Sequence, residues 1–365
     1  MNLAKRAALV VAAPALALVV AGLVATLVLV LTGDDVAGFW STLLTWPEGR
    51  NLVNILNAAT ILYLAGVAAA IGFRMNLFNI GVEGQYRVAT FAGAFFAGQA
   101  FLPGYLNTAA AILVAMAAGA AWAGIAAVLR VTRGVSEVIS TIMLNAIALS
   151  LVAYLLRRFG NREGQTIVTD QIQQSSWVPN FTLVPGEDTK VYGLVFLAVA
   201  AGVAFAVLLS RTRFGFELRA TGQSESAAVA SGVNVRRMVV YAMLLSGAVA
   251  GLIGMPELFG ASHAFGSTIQ TGVGFTGIAV ALLGRNRPVG IAVGALVFAY
   301  LFQQASPLGI EADISPDIIA VTQGVVVLSV VIAYEVIRRY QVRLEQVQVA
   351  DALRRERAAG QEVPA

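Results

Sequence analysis

A succession of long apolar runs constrains this chain more than any other feature of its sequence. We count about ten, each near the roughly 20 residues that a membrane-crossing helix needs. They lie at about 8–32, 52–73, 80–102, 107–129, 135–156, 191–210, 238–260, 268–284, 289–305 and 317–337. In 365 residues this leaves no room for a soluble domain of any size. We therefore predict an all-α polytopic membrane protein of about ten transmembrane helices, whose short eighth and ninth runs are candidate half-spans.

The composition supports the membrane class and excludes several kinds of chemistry. The chain is 58% hydrophobic and 12% charged, whereas soluble domains carry about 25% charged residues. Without cysteine and with a single histidine, it lacks thiolate sites and histidine clusters. Its lysines, Lys5 and Lys190, fit no phosphate-binding G-x-x-x-x-G-K-[ST] motif. We expect no catalytic residue, no metal site and no cofactor on this chain.

The basic residues predict the orientation in the membrane. Lys5 and Arg6 precede a first run that is longer than a signal-peptide core, which indicates an uncleaved first span. Placing both termini inside puts most arginines on the inner side; the cluster from Arg157 to Arg162 is the exception. We predict a transmembrane domain over 1–337, with an external loop at 157–190 and an internal loop at 211–237. A charged cytoplasmic tail follows at 338–365.

The segment 73–98 breaks the pattern of a plain apolar helix. It carries charged and amide side chains, and Gly81 and Gly84 interrupt it. Its "NIGVEGQ" at 79–85 is echoed by "QTGVGFTG" at 270–277, each after a span rich in alanine and glycine. Paired interrupted segments in two halves of a membrane protein are typical of transporter sites. We predict two pseudo-repeats with some broken helices.

Polar side chains within the apolar runs are the candidate functional residues, because burying them in a membrane is costly. Glu83 and Arg87 lie four residues apart, so they can neutralise each other on a helix as a structural ion pair. Amides suit a cavity for a neutral polar ligand; hydrogen bonding between helices is the alternative for each of them. We predict a substrate pathway formed by Asn57, Asn79, Gln85, Asn145 and Gln270. The further intramembrane candidates are Asn54, Glu137, Glu257, Gln303 and Gln304.

Three residues receive a simpler interpretation. Glu137 begins the fifth run and is predicted to be an acid at a helix N-terminus. Pro256, just before Glu257, predicts a kink or break near the outer end of its span. His263 lies in a Gly/Ser loop and is predicted to be a surface residue rather than a ligand.

The internal loop contains a predicted short helix. Ser224 has the character of an N-cap, "ESAAVAS" follows, and Gly232 is a helix stop. Such a helix between two spans is what a cytoplasmic partner would bind. An ordinary interfacial connector is the alternative.

Four stretches together resemble a known family: "LFNIGVEGQ", "GVSEVISTIMLN", "LRATGQSESAAVASGVNV" and "GFTGIAVALLGRNRPVG". They are similar to permease subunits of bacterial ABC importers, in the branch shared by branched-chain amino acid, simple-sugar and nucleoside permeases. "LFNIGVEGQ" with "VISTIMLN" is most similar to nucleoside permeases that work with a BMP-type lipoprotein. The resemblance covers roughly residues 50–335.

The resemblance implies a second, homologous permease subunit, cytoplasmic ATPase subunits that carry ATP and Mg²⁺, and an extracytoplasmic substrate-binding lipoprotein. It implies a multi-pass protein of the bacterial cell membrane. The 211–237 loop would be the helix that couples to the ATPase, and Asn79, Glu83 and Gln85 would lie near the translocation path. The implied ATPase-coupling residues are Glu217, Ser224, Glu225, Ala228 and Gly232.

We therefore expect a permease subunit of an ATP-driven importer that moves a nucleoside or a related small neutral solute into the cytoplasm. A simple-sugar import permease is the first alternative. A secondary transporter that acts alone on an ion gradient is the second, but few intramembrane carboxylates are available to bind the driving ion.

Overall fold

A computed structural model describes residues 19–266 and 269–311, together with scattered positions between 318 and 343. The start of the first apolar run, most of the tenth run and almost all of the predicted tail at 338–365 lie outside the described residues. The chain divides into two compact units. One consists of Met1–Leu43 with Ser306–Ala365, and the other of Leu44–Ala305.

The first unit contains helix α1 (Val19–Thr32) and almost all of α2 (Val36–Leu44). Gly33, with φ of 81°, provides the left-handed turn between them. The indole Nε1 of Trp40 donates a hydrogen bond of 3.0 Å to Thr26 Oγ1, so the two helices pack as a hairpin.

The second unit contains the helices that surround the candidate site. Its elements in chain order are α3 (Gly49–Arg74), α4 (Val82–Gly98), α5 (Gly104–Arg133), α6 (Glu137–Phe159), β1 (Asn161–Glu163), β2 (Thr166–Val168), a 3₁₀ turn (Gln174–Ser176), α7 (Val195–Arg211), α8 (Arg213–Gln223), α9 (Glu225–Ala230), α10 (Val235–Ala250), α11 (Met255–Glu257) with a π turn (Leu258–Ser262), α12 (Val273–Leu283) and, as far as Ala305, α13 (Pro288–Glu311).

The predicted class, a polytopic α-helical membrane protein, is confirmed. Five helical stretches of the described chain are long and apolar enough to cross a membrane, and a sixth counts if α7 and α8, bent by 74°, form one span. These five stretches are Gly49–Arg74, Gly104–Arg133, Glu137–Phe159, Val235–Ser262 and Pro288–Ala305. The eighth apolar run is a short helix, α12, as expected. The ninth belongs to the 24-residue α13 and is not a half-span.

Small residues allow the helices of this unit to approach closely. A Cβ added to Gly119 of α5 would overlap the backbone of Gly247 and Gly251 at α10. Helix α3 is buried along most of its length by α7, α10 and α12, and residues 65–70 in its C-terminal half are all Ala, Gly or Val. In lipid the hydrophobic effect does not drive helices together, because the lipid tails are themselves apolar. The van der Waals contacts of closely packed backbones stabilise the association instead.

The predicted breaks are present. Helix α3 ends at Arg74, a turn through Asn76 (φ 59°) follows, and α4 begins at Val82. After α10, irregular turns lead to Pro256, and the chain continues as α11 and the π turn. The Gly-Val pair shared by the two echoed segments therefore marks a helix N-terminus in each case, that of α4 and that of α12.

The segment predicted as a loop at 157–190 contains regular elements at its start. Helix α6 continues to Phe159, so Arg157 and Arg158 belong to its last turn. A small antiparallel hairpin then pairs Arg162 with Ile167. The turn residue Gly164 has φ of 61°, which a glycine adopts without strain.

Candidate translocation site

A cavity of about 480 Å³ lies between α3, α12 and α13, beside the segment that leads into α7. This volume is within the range of small-molecule sites, about 300–1,000 Å³. Its lining residues combine amides, hydroxyls, aromatic rings and aliphatic side chains. They are Asn54, Asn57, Ala58, Ile61, Leu62, Tyr192, Gln270, Thr271, Val273, Thr276, Ala299, Phe302 and Gln303, and none of them carries a charge.

Two of the five residues predicted for the substrate pathway, Asn57 and Gln270, line this cavity. The amide of Asn57 is already engaged: its Nδ2 donates to the Lys190 carbonyl at 3.0 Å and its Oδ1 accepts from the Tyr192 N–H at 2.9 Å. Asn57 therefore holds the loop before α7 against α3. Among the described residues, the side chain of Gln270 makes no hydrogen bond, so its amide is free to meet a ligand.

Asn79 and Gln85, two further pathway candidates, lie away from the cavity. They are 0% and 1% exposed and bond reciprocally: Asn79 Nδ2 donates to Gln85 Oε1 at 3.0 Å, and Gln85 Nε2 donates to Asn79 Oδ1 at 2.9 Å. Asn79 also donates to Ser246 Oγ at 2.8 Å, and Ser246 donates to the Ala68 carbonyl at 2.6 Å. This network ties the break between α3 and α4 to α10, and its polar groups are satisfied within the protein.

Asn145, the fifth candidate, also bonds to backbone. From α6, its Oδ1 accepts from the Gly84 N–H at 2.8 Å and its Nδ2 donates to the Ile80 carbonyl at 2.9 Å. A helix N-terminus leaves backbone N–H groups without intrahelical partners, and Asn145 satisfies one of them. It thus supports the start of α4 rather than the cavity wall.

The predicted ion pair is present, and its carboxylate has a second role. Glu83 Oε1 accepts from Arg87 Nε at 2.8 Å and from the Gly272 N–H at 3.0 Å, while Oε2 accepts from the Gly274 N–H at 2.8 Å. Glu83, in the first turn of α4, therefore caps the N-terminus of α12. The buried carboxylate offsets the partial positive charge of both helix starts.

The contact between Glu83 and the start of α12 also positions residues that line the cavity. Tyr86 Oη donates to the Gln270 carbonyl at 3.1 Å. Gln270 and Val273 line the cavity on either side of the N–H of Gly272 that Glu83 binds. The polar segment at the start of α4 thus supports the loop that lines the cavity.

Four further cavity residues were not part of the predicted substrate pathway: Asn54, Gln303, Tyr192 and Phe302. Asn54 and Gln303 were visible as intramembrane amides, and the Asn54 side chain makes no hydrogen bond in the described part of the chain. Gln303 Nε2 donates to Asn51 Oδ1 at 3.1 Å. Tyr192 and Phe302 lie in apolar stretches of the sequence, where no pattern marked them as functional residues. Burial, with the Glu257 charge as a smaller cause, raises the pKa of Tyr192 to about 12, so its hydroxyl stays neutral.

Two of the three simpler interpretations agree with the structure, and the third needs correction. Glu137 begins α6, and its carboxylate lies 3.4 Å from Arg130 Nε. Glu257 is buried after the break at Pro256, with one oxygen lacking a partner among the described residues. His263 is not a simple surface residue, because its ring stacks on Trp177 with centroids 3.7 Å apart and its Nδ1 is buried.

The predicted short helix of the 211–237 loop is confirmed. Ser224 Oγ accepts from the Ala227 N–H at 3.3 Å and caps α9, whose first residue is Glu225. Gly232, with φ of 82°, follows the end of the helix. Glu217 pairs with Arg213 at 2.7 Å on α8.

A groove of about 300 Å³ separates α8 from α9. Phe216 of α8 and Val229 of α9 are each 61% exposed, although the surrounding segment is polar. Ala228 is only 2% exposed, so it packs inside this unit and does not form an outer face. Exposed apolar side chains on a polar connector are typical of a protein–protein contact.

The comparison with known proteins agrees with this geometry. The family model described as branched-chain amino acid transport system / permease component matches residues 51–333. A glucose ABC transporter permease of Haloferax volcanii is 35% identical over 80% of this chain and 78% of its own length. The guanosine ABC transporter permeases NupP and NupQ of Bacillus subtilis are 33% and 27% identical, over 88% and 73% of this chain and 93% and 86% of their own lengths. The chain belongs to this family of multi-pass ABC transporter permeases.

Proposed function

We propose that this permease carries a nucleoside through the cavity between α3, α12 and α13. The observation that carries the proposal is the lining of that cavity, whose described residues combine neutral amides with the rings of Tyr192 and Phe302 and include no charged side chain. A nucleoside presents one flat aromatic base and several hydrogen-bonding groups, and it carries no charge. Stacking on an aromatic side chain contributes about 1–3 kcal/mol per base in other binding sites.

Within this proposal, Asn54 and Gln270 bind the ligand, because their amides are not used elsewhere in the described chain. Phe302, which is 45% exposed, offers a face for stacking. Asn79, Gln85 and Asn145 instead hold the break before α4, since their hydrogen bonds end on the protein itself. Glu83 and Arg87 act with them as a structural pair.

The proposed driving force comes from other subunits. ATP with Mg²⁺ would bind to cytoplasmic ATPase subunits, and α8 and α9 would dock on them through Phe216, Val229 and the groove beside Glu217, Ser224 and Glu225. A binding lipoprotein would deliver the solute from outside. Both termini would lie in the cytoplasm. The similarity to both NupP and NupQ supports a partnership with a second, homologous permease.

A sugar is the second candidate substrate, and one observation favours it: the similarity to the glucose permease of Haloferax volcanii at 35% identity. Amides and an aromatic ring also suit a sugar, whose hydroxyls donate and accept hydrogen bonds. An ion-driven transporter acting alone is not favoured, because the cavity lining contains no carboxylate to bind a proton or sodium.

The test is uptake by proteoliposomes that contain the full transporter, loaded with ATP or with a non-hydrolysable analogue. Labelled guanosine, uridine and glucose are supplied with the binding lipoprotein outside. We expect ATP-dependent uptake of at least one nucleoside and competition by unlabelled nucleoside but not by glucose. Uptake that proceeds equally without ATP would refute the importer mechanism, and uptake of glucose alone would refute the nucleoside assignment.

A further inference from the structure

A second cavity of about 480 Å³ lies on the outside of the second unit, between α3, α7 and α13. Leu56, Val195, Val199, Val203, Val289 and Leu296 contribute to its lining. The only polar side chains of the lining are Thr60 and Tyr63. A groove with so apolar a lining suits a hydrocarbon chain better than water.

The three walls of the groove lead to three arginines on one side of the membrane. Helix α3 ends at Arg74, α7 turns into α8, which carries Arg219, and α13 begins directly after Arg287. Arg74 Nε donates to the Asn286 carbonyl at 2.9 Å, and the charges of Arg287 and Arg219 both act on Arg74. Gly222 packs on the Arg74 backbone, which keeps α8 folded against the end of α3.

Arg74, Arg219 and Arg287 form a basic cluster at this end of the groove. In the described part of the chain, none of the three forms an ion pair with a carboxylate. Three guanidinium groups that repel one another are stabilised by a bound anion, and guanidinium binds phosphate with matching geometry. The buried Oδ1 of Asn286, beside them, also has no hydrogen-bond partner among the described residues.

We propose that one anionic phospholipid binds here, with its phosphate on the arginine cluster and an acyl chain in the groove between α3, α7 and α13. The arginine cluster adjoins the groove at Pro288, which lines the groove and follows Arg287 directly. Basic pockets between membrane helices recognise such head groups. A head group with hydroxyls, such as phosphatidylglycerol, also supplies a donor to Asn286 Oδ1. This proposal does not depend on the transported substrate.

The test is native mass spectrometry of the full chain in detergent, with phosphatidylglycerol and phosphatidylcholine as probes. We expect the chain to retain one phosphatidylglycerol in preference to phosphatidylcholine. R287Q and R219Q should each lower that retention about five-fold, as expected for loss of one basic contact. A292F fills the groove without changing charge and should lower retention of both lipids.

The matched controls lie on α5, away from the groove: R133Q removes an exposed arginine at the helix end, and A121F enlarges an exposed alanine. Both should retain lipid like the parent chain. Equal retention by R287Q, R219Q and the parent would overturn the proposal. So would displacement of the lipid by millimolar inorganic phosphate alone, which would indicate a simple anion site. Loss of ATPase-subunit binding in R219Q with unchanged lipid retention would reassign the cluster to a protein partner.

Discussion

The carboxylate of Glu83, in the first turn of α4, accepts a hydrogen bond of 2.8 Å from the backbone N–H of Gly274, in the first turn of α12. The two residues are 191 positions apart, and each belongs to one of the two echoed segments, 79–85 and 270–277. Two helix starts thus meet head to head, and one buried acid serves both of them. Because the loop before α12 lines the cavity between α3, α12 and α13, this contact links the polar break to the candidate site.

Replacing Glu83 with Gln should destabilise the protein by about 3–5 kcal/mol, because it leaves Arg87 unpaired in a buried position and removes a charged acceptor from two N–H groups. Thermal unfolding in detergent measures the effect. The variant R87Q should cost less, since the carboxylate keeps its bonds to Gly272 and Gly274. Equal losses for both variants would show that the ion pair, and not the capping of α12, dominates.

Replacing Gly274 with Ala should be strongly destabilising, because the added Cβ would overlap the backbone nitrogen and Cα of Glu83. Overpacking costs about 1–3 kcal/mol where side chains can yield, and two rigid backbones yield less. The matched control is G124A on α5, where the new methyl group meets only the flexible end of Leu244. A loss for G274A no larger than that for G124A would mean that α4 and α12 do not touch here.

Replacing Asn54 with Ala should raise the KM for transport about ten-fold without lowering the melting temperature, because an amide without protein partners is lost. The control N79A should show the reverse pattern: lower stability and unchanged discrimination between nucleosides and glucose. Initial rates of uptake across substrate concentrations give both parameters. If N54A has the same KM as the parent, Asn54 does not bind the substrate.

Replacing Val229 with Asp should reduce the ATPase stimulation produced by substrate-loaded binding protein several-fold, because a charge would replace an exposed apolar contact on α9. Stability should not change, since the side chain is 61% exposed. The control V135D alters an exposed valine in the turn between α5 and α6, and its ATPase stimulation should equal that of the parent. By contrast, A228R should lower stability itself, because Ala228 is buried. Full stimulation in V229D would place the docking surface elsewhere.

The stack of His263 on Trp177 should weaken in acid. Burial lowers the pKa of His263 below its usual 6.5, so the folded state binds its proton less readily than the unfolded state. The stabilisation is complete above pH 6.5 and is lost as pH falls toward and below the lowered pKa. Trp177 fluorescence between pH 7 and pH 5 reports the change. Because His263 is the chain's only histidine, H263Q should abolish its contribution, and an unaltered pH profile in H263Q would assign it to another group.

Local features of this chain were readable from its sequence. Gly81 and the amides around it predicted the break after α3, and Ser224 with Gly232 predicted the limits of α9. Each depends on neighbours within a few residues, through capping, turn geometry or i,i+4 pairing. The membrane class followed from the apolar runs alone, because a backbone in lipid must satisfy its own hydrogen bonds.

The division of the amides between structure and ligand could not be predicted in this way. Asn79 and Gln270 look alike in sequence, since each is an amide two positions before the Gly-Val pair of an echoed segment. An amide side chain can donate and accept toward either protein or ligand, so its role depends on which groups lie opposite. Asn79 meets Ser246, 167 residues away, whereas the side chain of Gln270 meets the open cavity.

Hydrophobicity and local backbone preferences act over short distances, so the residues of this chain were enough to predict a helical membrane permease with two interrupted, glycine-marked segments. The folded chain was needed to find that these segments meet through Glu83, that Asn54, Gln270 and Phe302 face the cavity, and that Ala228 is buried. Each of these relationships joins groups far apart in the chain, and burial and hydrogen-bond partnership arise only when the helices pack.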